Sequence, residues 1–415
     1  MPASPIPQLT ALLLLPALAA AARRPAWGRA VSAVALIGSA VALILLPANS
    51  AISGIAGISA FGKGAAWLSL LGVALVVFAL PAGPDAGGTR AAWIIHLLAL
   101  GTVLATRSPL VLLLVLLLIA AAVPRLDPAA SADGWRRSLA VGGLLVFAGL
   151  LIAGAGPTPV TDLTLAGGLV LGFLLVTGAF PFGVGVWRWL TETGPRRATA
   201  VAAGLVPALM TTLVDNLDVL NRLQLVQPTR VPVAVALFGA ATLMLSALHS
   251  FAVRGWHSLG ADGVIFDVGL ALVAAGAGGL DGAALVLTVM AITRPLMFLV
   301  ERLEMRRTWG WIGAAGALLG AAGMPPTLGF AARLLVLAAA FRLSLPLALA
   351  VLAGVMLQRV ASARVVLARL GDAASPAAAH HPAMSERLAI ALVVVALVAA
   401  GIAPGVVLSH LWGIG

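Results

Sequence analysis

Four ionisable residues lie within long apolar stretches of the chain, where charge is unusual. They are His249, Asp267, Arg294 and Arg333. Counted at 1.5 Å per residue from the ends of their apolar segments, Asp267 lies about 13 Å deep and Arg294 about 10 Å. Opposite charges at similar depth on consecutive helices are expected to pair, because an isolated ion in hydrocarbon costs at least about 2.5 kcal/mol. Two interpretations stay open: a structural ion pair, or part of a hydrated proton path that protons enter at His249, about 8 Å from the membrane face.

Arg333 follows a run of helix-breaking residues. The run contains Gly323, Pro325, Pro326 and Gly329 in the middle of an apolar stretch too long for one straight helix. Two adjacent prolines remove backbone donors, so the sequence predicts a discontinuous helix with unpaired carbonyl and amide groups at membrane depth. This pattern is typical of an ion site. The alternative is a packing kink from which Arg333 reaches the outer interface, about 13 Å away.

A second break is predicted at Phe180-Pro181-Phe182, followed by Trp187-Arg188-Trp189. Taken alone, this segment is a proline-kinked helix with aromatic residues at the inner membrane face. This second break is informative about function only when it is considered together with the first break.

The elements that position these residues are transmembrane helices. Of the 415 residues, 61% are hydrophobic and 9% are charged, so a soluble globular protein is excluded. A window of about 20 residues identifies apolar segments that could cross a bilayer. The fourteen predicted segments span 7–22, 30–47, 65–82, 91–106, 109–124, 138–156, 164–187, 198–214, 231–253, 258–277, 282–301, 309–341, 344–363 and 388–411. We therefore expect an all-α polytopic membrane protein.

The distribution of basic residues predicts its orientation. The net charge of +11 comes mainly from arginines in alternate short loops, which favours a membrane protein over a nucleic-acid-binding one. We place those loops inside and both termini outside, in a bacterial cytoplasmic membrane. The outer loops then hold only Lys63, Arg107, Arg222, Arg230 and Arg342.

No soluble domain, metal cluster or enzyme active site is predicted. The longest polar stretches are too short to bury a core, so residues 1–415 form a single transmembrane domain. The chain has no cysteine, and His380-His381 has no acidic partner nearby and receives no role. We expect no cofactor and no catalytic site in this chain.

Three stretches resemble a known family, the antiporter-like membrane subunits of respiratory complex I, Mrp-type sodium/proton antiporters and membrane-bound hydrogenases. Ala322 to Arg333 resembles the family's Ala-Gly-Ile/Met-Pro-Pro-x-x-Gly-Phe-x-x-Lys motif. Gly178 to Phe182 with Trp187 is similar to Gly-Ala-x-Pro-Phe-His-x-Trp, and Gly194-Pro195 to the Ala-Pro that follows. Val286 to Leu299 resembles His-Ala-x-x-Lys-x-x-Leu-Phe-Leu. The resemblance implies about fourteen helices with an inverted repeat of helices 4–8 and 9–13, in which helices 7 and 12 are broken. The repeats would cover residues 91–214 and 231–363.

The resemblance also implies a midplane chain of lysines and a glutamate that carries protons. The family's helix-twelve and helix-eleven lysines correspond to Arg333 and Arg294. The helix-seven lysine corresponds to Val176, and the helix-eight lysine to Pro207 or Ala208.

Two further family positions also lack a residue that can carry a proton. The helix-eleven histidine corresponds to Met290, and Leu110 to Val123 contains no acid to match the helix-five glutamate. His96 is the one ionisable residue of the first repeat that we expect to be buried. An arginine is a poor proton relay because it does not deprotonate in the working pH range.

We therefore predict a subunit of a multisubunit energy-converting complex with a degenerate proton channel and a largely structural role. Its partners would be other membrane subunits and the lipid bilayer, without nucleic acid. One alternative is an active proton or sodium translocator that uses the second repeat, where Asp267, Arg294, Arg333 and His249 all lie. A further alternative is an independent secondary carrier.

Overall fold

The computed structural model describes residues 5–21, 25–47, 50–52, 56–79, 87–106, 108–127, 130–155, 159–222, 230–301, 308–371 and 383–414. His380, His381 and Arg107 lie outside the described residues.

Almost all of the described chain is helical, as alanine- and leucine-rich apolar sequence requires when backbone groups have no water to bond. The helices are α1 Ile6–Ala21, α2 Pro25–Leu45, α3 Ala60–Ala74, α4 Gly87–Ala105, α5 Pro109–Leu126, α6 Asp133–Ala155, α7 Pro159–Thr177, α8 Val184–Glu192, α9 Pro195–Ala200, α10 Val206–Arg222, α11 Arg230–His249, α12 Trp256–Gly276, α13 Leu280–Val300, α14 Thr308–Ala322, α15 Leu328–Leu343, α16 Leu345–Gly371, α17 Met384–Ile402 and α18 Pro404–Val406. π-Helical turns extend α3 over Leu75–Ala79, join α9 to α10 over Val201–Leu205 and follow α18 over Val407–Leu411.

Nine helical segments within the described residues are long and apolar enough to cross a membrane. The predicted all-α polytopic fold is therefore confirmed, and the chain is a multi-pass membrane protein. Within the described residues, the predicted segments overlap these helices, and each predicted break falls between two helices.

Two details differ from the sequence prediction. Lys63 does not lie in a loop but in the first turn of α3, where its Nζ donates to the Leu46 carbonyl oxygen at 2.6 Å. Hydropathy misplaced the start of this helix because Lys63 lowers the local average. A small antiparallel hairpin, β1 Ser50–Ile52 and β2 Ala56–Ile58, was also not predicted, since three-residue strands are too short for a pattern of alternation.

The centre of the bundle is formed by α12 and α13, which are buried along their whole apolar length. Glycines allow α11 to approach α12 at backbone distance. A Cβ on Gly239 would lie 2.6 Å from the Val273 nitrogen, and one on Gly269 would lie 2.6 Å from the Leu243 nitrogen. Small residues at such crossings permit close packing of helices in membranes. The two central helices therefore hold their polar residues in a fixed position.

Both predicted helix breaks are present, and they have the same local structure. α7 ends at Thr177 and α14 at Ala322, and the next residue in each case is a glycine with positive φ, 72° at Gly178 and 63° at Gly323. In each break the residue after the glycine donates to the carbonyl five positions earlier, at 2.9 Å. This is a Schellman ending, which favours glycine because other residues rarely adopt positive φ.

Candidate functional site

The break between α14 and α15 exposes backbone carbonyls that no helical amide can reach. Four consecutive carbonyls, those of residues 320–323, accept hydrogen bonds from two arginine side chains, and the Gly320 oxygen also accepts from the Gly323 amide at 3.1 Å. Arg333 of α15 donates from Nη1 to the Gly320 oxygen at 3.5 Å and from Nη2 to the Ala321 oxygen. Arg359 of α16 donates from Nε to the Ala322 oxygen at 2.7 Å. It also donates from Nη2 to the next carbonyl in the chain, at 2.9 Å. We call Arg333 and Arg359 the arginine clamp.

The clamp has a direct electrostatic cause. The last carbonyls of a helix carry a partial negative charge, and each costs several kcal/mol in hydrocarbon if it stays unpaired. Each guanidinium has several donors in a fixed plane and can bind two neighbouring carbonyls at once. The clamp thus replaces the helical hydrogen bonds that the prolines interrupt.

Glycines make room for the clamp. A Cβ on Gly323 would collide with Nη1 of Arg333, and a Cβ on Gly329 would collide with the Gly320 carbonyl oxygen. Arg333 is only 8% exposed. The alternative that it reaches the outer interface is wrong, because the carbonyls of α14 attract its guanidinium back toward the break.

The second feature is an ion pair between α12 and α13, which the similar depths of Asp267 and Arg294 in the membrane predict. Nε of Arg294 donates to Oδ2 of Asp267 at 2.8 Å, and Nη2 lies 2.7 Å from the same oxygen. Both side chains are almost fully buried, at 1% and 3% exposure. Gly263 lies one turn before Asp267, and a Cβ there would overlap the Arg294 guanidinium. Glycine at this position is therefore what lets the guanidinium lie flat against α12.

The pair and the clamp form one charged cluster. Asp267 interacts electrostatically with both Arg294 and Arg333, and Arg333 in turn with Arg359. Three guanidinium groups and one carboxylate give this cluster a formal charge of +2, that is three minus one. The net charge is stabilised by the carbonyl dipoles of α14 rather than by further acids within the cluster.

The third feature contains an acid that the sequence reasoning missed. His249 of α11 contacts Asp262 of α12, with Nδ1 and Oδ1 at 2.9 Å. The carboxyl group is 3% exposed, whereas the imidazole is 46% exposed and packs edge-on against the Trp187 ring at 4.7 Å between centroids. Asp262 lies near the start of its apolar segment and therefore resembles an interfacial residue in the sequence. Its spacing of five residues from Asp267 was the available signal.

A cavity of about 310 Å³ opens beside this dyad, under the break between α7 and α8. Its walls come from the broken segment and from α11 and α12. The lining residues are Phe180, Pro181, Gly183, Val184, Trp187, Thr242, Leu245, Ser246, His249, Asp262 and Ile265. Pro181, predicted only as a helix breaker, thus lies at the mouth of a pocket.

The first half of the chain has no comparable polar centre at the family positions. Val176 and Ala208, which the resemblance matches to family lysines, are fully buried, and Pro207 is buried in α10. In the second half, Met290 of α13 is fully buried as well. His96 is also buried, with Nδ1 at 2.8 Å from the Ser69 hydroxyl. The expectation that it is the one buried ionisable residue of 91–214 is wrong, because Asp127 and Arg196 are buried too. Asp127 is held by Thr193 and Arg197, which donate to its Oδ2.

The two breaks also differ in their arginines. Counted along the sequence from the positive-φ glycine of each break, Arg188 follows Gly178 by ten residues, as Arg333 follows Gly323. Arg188 is 60% exposed and donates to Glu192 instead of to the end of α7. Among the described residues, no group of three or more potential metal-ligating side chains comes together.

Comparison with solved structures identifies the fold. A chain in respiratory complex I from Thermus thermophilus with bound aureothin superposes with a TM-score of 0.77 at 18% identity, over 98% of this chain and 100% of that one. A chain of the membrane-bound sulfane sulfur reductase, an archaeal respiratory membrane complex, superposes with a TM-score of 0.75 at 18% identity, over 96% and 76%. A chain of the Mrp complex from Dietzia sp. DQ12-45-1b gives 0.77 at 18% identity, over 98% and 51%.

This chain therefore spans about half the length of the Mrp chain that it matches. No protein-family model and no curated protein sequence matches it. The resemblance predicted from the motifs is confirmed at the level of the fold, which is that of the antiporter-like membrane subunits.

Proposed function

We propose that this chain is an antiporter-like membrane subunit of a multisubunit energy-converting complex, with a degenerate proton channel and a largely structural role. One observation carries the proposal. The family scaffold and both of its helix breaks are kept, while the positions of the family lysines hold buried apolar residues or arginines already bound to protein groups.

Two inverted repeats, residues 91–214 and 231–363, account for the shared structure of the breaks. The hydrogen bonds of the first break recur in the second at the same offset. Ala179 and Met324 each donate five residues back at 2.9 Å. Phe182 and Thr327 each donate three residues back, at 2.7 Å and 2.9 Å. Such local identity between halves of low sequence similarity is typical of duplicated membrane folds.

The arrangement of the arginines favours a structural role. A proton relay needs a group that releases its proton, and a guanidinium holds it throughout the working pH range. Arg294 is fixed on Asp267, and the arginine clamp is fixed on four carbonyls. These side chains join five helices, α12 to α16, and so stabilise the second half of the scaffold.

The proposed setting is a bacterial cytoplasmic membrane, with both termini outside and other membrane subunits as partners. The fold neighbours come from multisubunit complexes. α17 is apolar but only 17% buried along its most apolar stretch, so most of its surface is available to lipid or to a neighbouring subunit.

A second candidate function is active proton or sodium translocation through the second repeat. It is favoured by two buried carboxyl groups on α12, Asp262 and Asp267, one of which adjoins the cavity at His249. In this alternative the charges of the arginines would adjust the pKa of Asp267, while protons move between its carboxyl group and nearby water.

The experiment that separates the two uses the native assembly. Asp267→Asn and Arg333→Met are introduced with Asp281→Asn as a control, since Asp281 is an exposed acid at the start of α13. Proton and sodium movement is followed together with the integrity of the complex. If the proposal is correct, transport falls only as far as assembly falls. Loss of transport in a fully assembled complex would favour the second candidate instead.

A further inference from the structure

The cavity under the first break is lined by a buried acid, Asp262, one oxygen of which has no well-aligned hydrogen-bond donor. Oδ1 of Asp262 contacts His249, while Oδ2 is buried and has no hydrogen-bond partner within bonding geometry. The Ser250 hydroxyl and the Trp187 indole face the same carboxyl group. The indole Nε1 of Trp187 is itself buried without a partner of good geometry, so Oδ2 is faced only by neutral donors that are poorly aligned. A buried carboxylate in this situation is costly, and in native proteins such a group usually has a functional partner.

The histidine offers a second acceptor. Its Nδ1 faces the carboxylate, and the tautomer that donates from Nδ1 leaves Nε2 as an acceptor. In this tautomer, Oδ2 of Asp262 and Nε2 of His249 are both acceptors. A complementary ligand must bring N–H donors, and a positive charge would also match the carboxylate.

Most of the remaining lining of the cavity is apolar, and the hydroxyl groups of Thr242 and Ser246 already donate to backbone carbonyls. The cavity opens toward the side of the bundle. Val184 is 66% exposed and Phe180 and Leu245 are both 41% exposed, so the mouth lies on the outer surface of the bundle. Asp262 lies six residues after Trp256, the first residue of α12, and so about 9 Å along the helix axis from its N-terminus. A ligand that enters from the membrane must therefore carry an apolar body behind its polar group. A volume of about 310 Å³ lies within the range of small-ligand pockets.

We propose that this cavity binds a primary ammonium group attached to an apolar chain, with the ammonium on Asp262 and His249. The apolar chain lies against Phe180, Val184 and Leu245. The ammonium can come from the headgroup of a membrane lipid or from a free long-chain amine. This inference goes beyond the proposed function, because it concerns binding and does not depend on whether ions move through the chain.

The first test measures binding of decylamine to the native assembly, purified in a phosphatidylcholine membrane disc, by the shift in its melting temperature. Decanol serves as the matched ligand without charge. We expect decylamine to stabilise the assembly and decanol to have little effect. Asp262→Asn should weaken decylamine binding about tenfold to a hundredfold, the usual effect of losing one charge-assisted hydrogen bond.

Two further variants keep the test decisive. Val184→Trp fills the mouth without touching the dyad and should also weaken binding, whereas Asp281→Asn, on the exposed start of α13, should leave binding unchanged. Equal binding of decylamine and decanol, or unchanged affinity in both Asp262→Asn and Val184→Trp, would overturn the proposal.

The second test distinguishes the sources of the ammonium group. The assembly is exchanged into discs that contain phosphatidylethanolamine, and retained lipid is measured by native mass spectrometry. Retention that depends on Asp262 identifies a lipid headgroup, while binding of decylamine alone identifies a free amine.

Discussion

Removing the carboxyl group of Asp267 is the most informative perturbation of the charged cluster. Asp267→Leu would leave Arg294 at 1% exposure without its counter-ion and would take away the acid that faces Arg333. Breaking a buried pair by removing one partner costs about 3–5 kcal/mol, because an uncompensated charge stays behind. That corresponds to a shift of roughly a hundredfold to several thousandfold in the folding equilibrium.

The magnitude is checked with a double-mutant cycle. Unfolding of the assembly is followed while a denaturing detergent is titrated into mild micelles. Asp267→Leu and Arg294→Met should each be strongly destabilised. The double variant should lie within about 1–2 kcal/mol of the unmodified protein, because apolar residues of similar volume replace buried ion pairs at little cost.

The result that would refute this reasoning is additivity. If the double variant loses the sum of both single effects, the two groups do not stabilise one another. The contact between Nε and Oδ2 would then be incidental, and the role of Arg294 would have to be sought in its contact with Met297 or in its neighbour Gly263.

Two other predictions concern the same cluster, and a third concerns the apolar packing of α7. Arg333→Met or Arg359→Met should cost about 1–3 kcal/mol for each carbonyl that loses its donor, and the two effects should not add, as detergent unfolding would reveal. Gly263→Ala should destabilise the assembly by more than about 1 kcal/mol by overpacking, whereas Gly168→Ala, where a Cβ meets nothing within 4 Å, should be neutral or slightly stabilising in a thermal melt. Val176→Lys should lower the yield of assembled complex, since it buries an unpaired ammonium at a cost of at least about 2.5 kcal/mol; an unaffected yield would contradict the apolar packing there.

The broken helix was predictable from the sequence because its causes are local. Two prolines and a glycine with positive φ interrupt a helix whatever surrounds it. The Asp267–Arg294 pair was predictable because depth follows from counting residues along a straight helix. Both inferences needed only one helix at a time, or two helices that are consecutive in the chain.

The arginine clamp and the contact between Asp262 and His249 could not be predicted from the sequence in this way, because they depend on how the helices pack. Arg359 lies at the edge of an apolar segment and looks like an interfacial snorkelling residue, because nothing in the sequence places it beside a break 36 residues earlier. The contact exists because α16 packs against α14 and α15. The direction of the Arg333 side chain is likewise decided by the carbonyls of another helix.

The clamp also bears on how the scaffold would evolve once its chemistry is lost. A broken helix in a membrane needs a donor for its open carbonyls whether or not an ion passes. Arginine supplies more donors than lysine and keeps them charged, so Arg333 and Arg359 can donate to four carbonyls at the break, of which the Gly320 carbonyl also accepts from a backbone amide. A lysine at position 333 would donate from one nitrogen on a shorter side chain, without the planar arrangement of separate nitrogens with which the guanidinium reaches both carbonyls. Arg333→Lys should therefore admit water at the break and speed amide hydrogen exchange at residues 328–331, while Arg342→Lys, at the exposed end of α15, should not. Unchanged exchange in Arg333→Lys would mean that the helix break is stabilised without the second carbonyl contact, and the structural account of this arginine would fail.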